Sequence, residues 1–292
     1  MQKIKIINVP VTNLRNSRSP LQRKSYTKDN DQESQLLYNE RVKVIEENKG
    51  WVYVEAQEQP HKKNKGYRGW VKSCDLCSSE KLVDHDVFVT SSWARVCGNK
   101  DVDVSFGTGF KKLQELGDIT EILFPDGTRG SIATSSLSRD EVCLHARKFL
   151  GSPYLWGGRS AFDPLHEEVT GVDCSGFITL LYRVNGINLP RNAVDQWAQC
   201  QSVAFDELTE GDLVFSSSKG GEENIDHVML YCGDGTIIEA AMGVGKVHET
   251  RLEEKRKQFF KDDFFYGRVG KFYRDFSATE GDEVINIMNS GG

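Results

Sequence analysis

From residue 1 to about residue 137 the apolar side chains arrive in short alternating bursts, and this spacing restricts the fold more than any other feature. "QLLYNERVKVIEE", "GWVYVEAQ" and "GYRGWVK" each carry apolar positions two residues apart, and Gly, Asn and Lys turns separate them. Alternation with a period of two puts every second side chain on one face, the pattern of a half-buried strand, and runs this short return as antiparallel neighbours. Residues 1–80 are therefore expected to form one small barrel. Residues 81–137, with "DVFVTSSWARV" and a tight "PDG" turn, are expected to form a second of the same type.

The period changes at "SSLSRDEVCLHARKFLGSPYLWGG", where Ser138 precedes Glu141 by three positions as in a capping box, and apolar residues then recur at helical spacing. A second helix is expected to open at Cys174, with Phe177, Leu180, Leu181 and Val184 on one face and Gly186 as its C-cap. The strands "DLVFSS", "HVMLYCG", "TIIEAA" and "KVHETRL" follow, with "GDG" as the hairpin turn between the second and third. Helices followed by a meander predict an α+β domain over residues 138–275, with 276–292 as a flexible tail.

A chain of 292 residues can bury the cores of two or three such units. Its formal charge of -6 argues against broad binding to nucleic-acid phosphates. No window approaches the ~20 apolar residues of a membrane span, and "MQKIKIINVPVTNL" lacks the apolar core of a signal peptide, so a cytoplasmic location is expected. In that setting the seven cysteines are expected to be mostly reduced, without a disulfide scaffold. Cys74 and Cys77 in "CDLC" have a spacing that zinc or redox sites use, but no second ligand pair accompanies them, and no metal or cofactor is expected.

Chemistry concentrates around "VDCSGF". A thiol at a helix N-terminus faces unpaired N–H groups and the positive end of the dipole, which favour a thiolate and can hold an oxyanion. From that context alone Cys174 could equally be a small buried hydrophobe. His227, at the start of "HVMLYCG", and Glu239, twelve residues on across the turn, add an imidazole and a carboxylate to orient it.

"YLWGG", "DCSGF", "LPRNAVDQ", "GDLVFS" and "DHVMLYCGDGTIIEA" follow one another in an order and spacing that resembles the NlpC-type papain-like cell-wall peptidases, over roughly residues 139–270. The upstream barrels resemble the bacterial SH3-like modules of γ-D-glutamyl-L-diamino acid endopeptidases that recycle muropeptides. The fold implied is two small all-β SH3-like barrels followed by an α+β papain-like cysteine peptidase domain. The resemblance implies that Cys174 attacks the bond between γ-D-Glu and diaminopimelate or Lys, forming a thioester, while His227 moves the proton. Glu239 would orient His227 at a position where the family commonly has histidine. Tyr154 would help hold the oxyanion. Asp173 and Ser175 would bind the peptide's amine and carboxylate groups, Trp156 would form a cleft wall, and Arg191 would clamp a carboxylate.

The first barrel is implied to gate the cleft and to read the free amine of an N-terminal L-Ala through Glu33 and Tyr67, with Glu40 as the alternative to Glu33. The implied partner is a free cell-wall peptide, handled by a monomer. Hydrolysis of polymeric peptidoglycan, an amidase or acyltransferase using the same thiol, and a non-enzymatic peptide receptor are the competing readings. The segment "DPLHEEVTG", 163–171, is longer than the family's usual connection and is expected at the cleft rim or against a partner. His166 within it has acidic, loop-like neighbours and shares that rim or partner role instead of acting as a base, whereas His61, His85, His145 and His248 have no thiol or carboxylate partner in any motif and are read as surface or core.

Overall fold

The computed structural model describes residues 3–19, 29, 31–78, 83–137, 142–166 and 169–270. The capping box at Ser138 and the tail at 276–292 lie outside the described residues. The alternating segments form strands as their period demands: β1 (Ile4–Ile7), β2 (Val11–Arg15), β3 (Gln32–Leu37), β4 (Arg41–Asn48), β5 (Trp51–Ala56), β6 (Tyr67–Lys72) and β7 (Leu76–Cys77). These pair in the order β3-β2-β6-β5-β4-β1-β7. A second sheet holds β8 (Val87–Phe88), β9 (Trp93–Cys97), β10 (Val102–Ser105), β11 (Gly109–Leu116), β12 (Ile119–Leu123) and β13 (Arg129–Ala133), in the order β10-β9-β13-β12-β11-β8. The "PDG" turn joins β12 to β13 as a tight turn, Gly127 adopting φ +82°.

Helices then enter: α1 (Val142–Arg147), α2 (Cys174–Arg183) and α3 (Ala193–Trp197). They pack on a third antiparallel sheet made of β14 (Cys200–Ser202), β15 (Leu213–Ser217), β16 (His227–Tyr231), β17 (Thr236–Ala241), β18 (Lys246–Arg251) and β19 (Asp263–Val269), in the order β14-β19-β15-β16-β17-β18. A further helix, α4 (Leu252–Gln258), crosses between β18 and β19. The "GDG" hairpin between β16 and β17 is present, with Gly233, Asp234 and Gly235 all at positive φ.

The apolar stripe predicts α2 with one buried face, yet all ten of its residues are buried. The N-terminal sheets cover the other side: Arg183 Nε donates to Gly107 O at 2.7 Å, and a Cβ on Gly107 would come within 2.8 Å of Leu180. Core packing is shared as well. Leu37 of the first sheet and Phe106 from beside the second belong to the same apolar cluster as Phe149, Phe177 and Phe215, and the rings of Phe106, Phe149 and Phe177 stack edge-to-face in a row. The N-terminal unit is thus packed against the helix that carries the thiol.

Candidate active site

Asp173 is extended, and its Oδ1 accepts from Gly176 N at 2.7 Å, which is the N-cap bond that starts α2 at Cys174. Gly176 admits no side chain here, because a Cβ would lie 2.1 Å from Gly158 O. The helix start can therefore press against the Gly157–Gly158 loop and hold the Cys174 sulfur at the floor of the cleft.

The register of the hairpin brings the other two groups to it. Leu230 pairs with Ile238 and Tyr231 with Ile237, so Glu239 lies diagonally across from His227 on the same face. His227 Nε2 is hydrogen-bonded to Glu239 Oε2, and the ring makes a second side-chain hydrogen bond with Cys174. With Nε2 taken, Nδ1 is the nitrogen left for the sulfur. Burial opposes charge on the ring, but the bonds to Cys174 and Glu239 and the charges of both outweigh it and push His227 up to about 10. Burial would likewise raise Glu239, yet the hydrogen bond with His227, the His248 ring nearby and the charges of His227 and Lys255 hold it well below the usual carboxylate range. This set can keep an imidazolium beside the sulfur.

A cleft of about 550 Å³ opens over these groups. Cys174, His227, Tyr154, Trp156, Asp173, Ser175 and Arg191 line it from the C-terminal unit, and Gln32, Glu33 and Tyr67 line it from the first sheet. Burial, followed by the charges of Asp173 and Cys174, pushes the Tyr154 phenol upward, so it stays a neutral donor. Trp156 forms a partly exposed wall. Tyr67 Oη donates to Glu33 Oε2 at 2.9 Å, and burial together with the Glu33 charge pushes the phenol up to about 12.

Several expectations are corrected. Arg191 is buried and its fork is already occupied: Nη2 donates to Asp173 Oδ2 at 2.6 Å, Nη1 to Asp173 Oδ1 at 3.0 Å and to Ser175 Oγ at 2.9 Å, and Nε to Ser34 Oγ at 2.8 Å. It clamps a carboxylate, but an internal one. Asp173 is engaged in the same way, since Oδ2 also accepts from Gly157 N at 2.9 Å, so it caps and braces the helix start while lining the cleft. Glu40 is not an alternative to Glu33: it is buried between the units, 2.7 Å from Arg159 Nη1 and 3.5 Å from Arg183 Nη2.

Of the segment 163–171, the described residues 163–166 and 169–171 do not line the cleft: Pro164, Leu165 and His166 are exposed, and Val169 O accepts from Gln35 Nε2 at 2.5 Å. His166 is exposed and paired with Asp163 at 2.8 Å. His248 and His85 do face carboxylates, Glu239 at 3.2 Å and Glu58 at 3.6 Å. Cys74, Cys77, Cys97, Cys174 and Cys200 are free, in line with mostly reduced thiols, but Cys143 and Cys232 form a disulfide with Cα atoms 5.7 Å apart. The packing of α1 on the end of β16 brings together two cysteines 89 residues apart, which their spacing could not reveal. Cys74 is exposed in the turn before the edge strand β7, and Cys77 lies in that strand.

Sequence reasoning missed Gln32, Asn192, Ile225, Asp226 and Met242 in the cleft, and Lys255 behind Glu239. Only for His248 was a signal present: the β17–β18 register sets it directly opposite Glu239, and counting back from the turn in "AAMGVGKVHE" locates it.

The NlpC/P60 family model matches residues 151–267, which span the thiol, imidazole and carboxylate, and a bacterial SH3 domain model matches 23–76. Over 224 residues the chain is 31% identical to the gamma-D-glutamyl-L-lysine dipeptidyl-peptidase of Bacillus subtilis (strain 168), with 73% of each protein covered. The chain belongs to the NlpC/P60 family. As an NlpC/P60 protein with an N-terminal bacterial SH3 domain, it is a cysteine peptidase. A more distant NlpC/P60 relative is the peptidoglycan endopeptidase RipB of Mycobacterium tuberculosis (strain ATCC 25618 / H37Rv), 33% identical over 138 residues, which are 42% of this chain and 56% of that one. In fold it is similar to the crystal structure of an NlpC/P60 family protein from Bacillus cereus ATCC 10987, with a TM-score of 0.78 at 24% identity, covering 91% of this chain and 99% of that one.

Proposed function

We propose that this peptidase hydrolyses the bond between γ-D-Glu and the following diamino acid, diaminopimelate or Lys, in short cell-wall peptides whose N-terminal L-Ala carries a free amine. The observation that carries this reading is the Glu33–Tyr67 pair, contributed by the first sheet to the cleft that contains Cys174. A half-buried carboxylate at the cleft wall, hydrogen-bonded by a phenol, is a receptor for an ammonium group, and its place on a separate unit closes the cleft at one end. The name of the Bacillus subtilis relative describes the same class of bond.

In this reading the Cys174 thiolate attacks the γ-carbonyl, a C–S bond forms, and the carbonyl oxygen becomes an oxyanion facing the α2 N-terminus and the Tyr154 hydroxyl. The C–N bond breaks as His227 gives its proton to the leaving amine. Water, losing a proton to His227, then hydrolyses the thioester. Glu239 holds the ring throughout. We read the second sheet as another SH3-like barrel, which docks through Ser105 and Trp93 onto Ala161 and Phe162 and supports the cleft from behind.

Recycling of such peptides would place the enzyme in the cytoplasm, whereas the Cys143–Cys232 link favours an oxidising compartment. Cell fractionation combined with thiol trapping decides between them. The substrate test is mass spectrometry of products from L-Ala-γ-D-Glu-diamino acid peptides with free and acetylated amines, beside intact sacculi. Rapid cleavage of the free peptide alone is expected, and equal rates for free and acetylated peptides would reject the amine reading.

A further inference from the structure

Behind Glu239 lies a cation that the reaction described so far does not use. The Glu239 carboxylate is wholly buried and is approached from three elements: His227 from β16, His248 from β18 and Lys255 from α4. Lys255 Nζ donates to both carboxylate oxygens, 2.7 Å to Oε1 and 2.9 Å to Oε2. His248 Nε2 lies 3.2 Å from Oε1 but off the hydrogen-bond direction. Lys255 therefore supplies the bonds that fix the carboxylate plane on the side away from His227. The Lys255 side chain is largely buried, and the Phe259 ring packs 4.6 Å from its nitrogen, which restricts where the ammonium can go.

We propose that Lys255 is a positioning residue of the catalytic apparatus: acting through Glu239, it turns one carboxylate oxygen to His227 and offsets the charge with which that carboxylate retains the imidazolium. The need for such an offset follows from the chemistry. His227 must first hold the proton and then surrender it to the leaving amine, and a buried carboxylate with no other partner would make the imidazolium too stable to be an efficient acid. A cation sharing the same carboxylate lowers that hold without removing the orienting bond. Other charges near the ring are Cys174 from α2, Asp226 directly before it, and Asp262, which feels both His227 and Lys255. None of them bonds Glu239.

This inference rests on the reading of Cys174, His227 and Glu239 as the reacting groups, which loss of turnover in Cys174→Ala tests separately. The experiment is kcat/KM against pH for wild type, Lys255→Met, Lys255→Arg and Glu239→Gln, with the pH dependence of thiolate absorbance recorded on the same samples. Lys255→Met is expected to lower kcat about tenfold with little change in KM and to move the alkaline limb up by roughly one pH unit, because a repelling cation is gone. Glu239→Gln should move the same limb down. Lys255→Arg, which keeps the charge, should restore the wild-type profile. Lys255→Gln serves if the methionine variant does not fold, and must show the same upward shift. A wild-type limb in the neutral variants, a downward shift like that of Glu239→Gln, or an arginine variant as impaired as the methionine one would overturn the proposal.

Discussion

Ser34, on the edge strand of the first sheet, accepts a hydrogen bond at 2.8 Å from Nε of Arg191, 157 residues away. The other nitrogens of the same guanidinium hold Asp173, and Asp173 caps the helix that begins with Cys174. A continuous chain of bonds thus runs from the N-terminal sheet to the residue beside the nucleophile. Ser34→Ala leaves a buried Arg191 N–H without its partner, and a loss of about 1–3 kcal/mol is expected. Arg191→Ala strands the Asp173 carboxylate and should cost more, about 3–5 kcal/mol. Thermal denaturation of both variants checks the order, and a larger loss for Ser34→Ala would contradict it.

Cys174→Ala is expected to retain the fold, since the side chain is small and the N-cap bond belongs to Asp173. Turnover should fall by at least about a thousandfold, the scale for loss of a covalent nucleophile. Steady-state rates alongside circular dichroism test both halves of the statement.

His227 is pushed up to about 10 by Cys174 and Glu239 against the effect of burial. The imidazolium beside the sulfur therefore persists through neutral pH and is lost as pH rises through that value. Glu239→Gln keeps the shape and removes the charge, so the alkaline limb of kcat/KM should move down by about one to two pH units. Glu249→Gln is the control: that side chain lies on the next strand, half exposed and 3.5 Å from Arg147, and its profile should match wild type.

Glu33→Gln removes the charge from the pair with Tyr67 while keeping an acceptor. For a peptide with a free amine, a charge-assisted bond of about 1.5–3 kcal/mol is lost, so kcat/KM should fall roughly 10- to 150-fold, mainly through KM. For the acetylated peptide little change is expected, and an equal loss on both substrates would remove the amine from the explanation.

The Cys143–Cys232 link closes a loop across 89 residues and ties α1 to the strand that begins with His227. Reduction, or Cys143→Ser, is expected to lower stability by about 2–4 kcal/mol. Calorimetry with and without reductant measures this, and Cys143→Ser should no longer respond to the reductant.

The sequence by itself determined what local periodicity and turn chemistry can encode. Short alternating segments became strands because a period of two puts one face inward. Asp173 and Gly176 started a helix at Cys174 because a capping oxygen and a missing Cβ are local requirements. "GDG" fixed a hairpin, and a hairpin's register alone put Glu239 beside His227. What crosses between units was not legible. Glu33 and Glu40 are seven residues apart on neighbouring segments, yet one lines the cleft and the other is buried against Arg159 and Arg183, because only the docking of the first sheet decides which carboxylate meets solvent. The same docking buried the polar side of α2 and spent Arg191 on Asp173. Lys255 reaches Glu239 only because α4 folds back over β17, and Cys143 meets Cys232 only because α1 packs there. Such pairings follow from burying a charge or an apolar surface against whatever the tertiary structure brings to it, and a linear sequence carries no spacing for that partner.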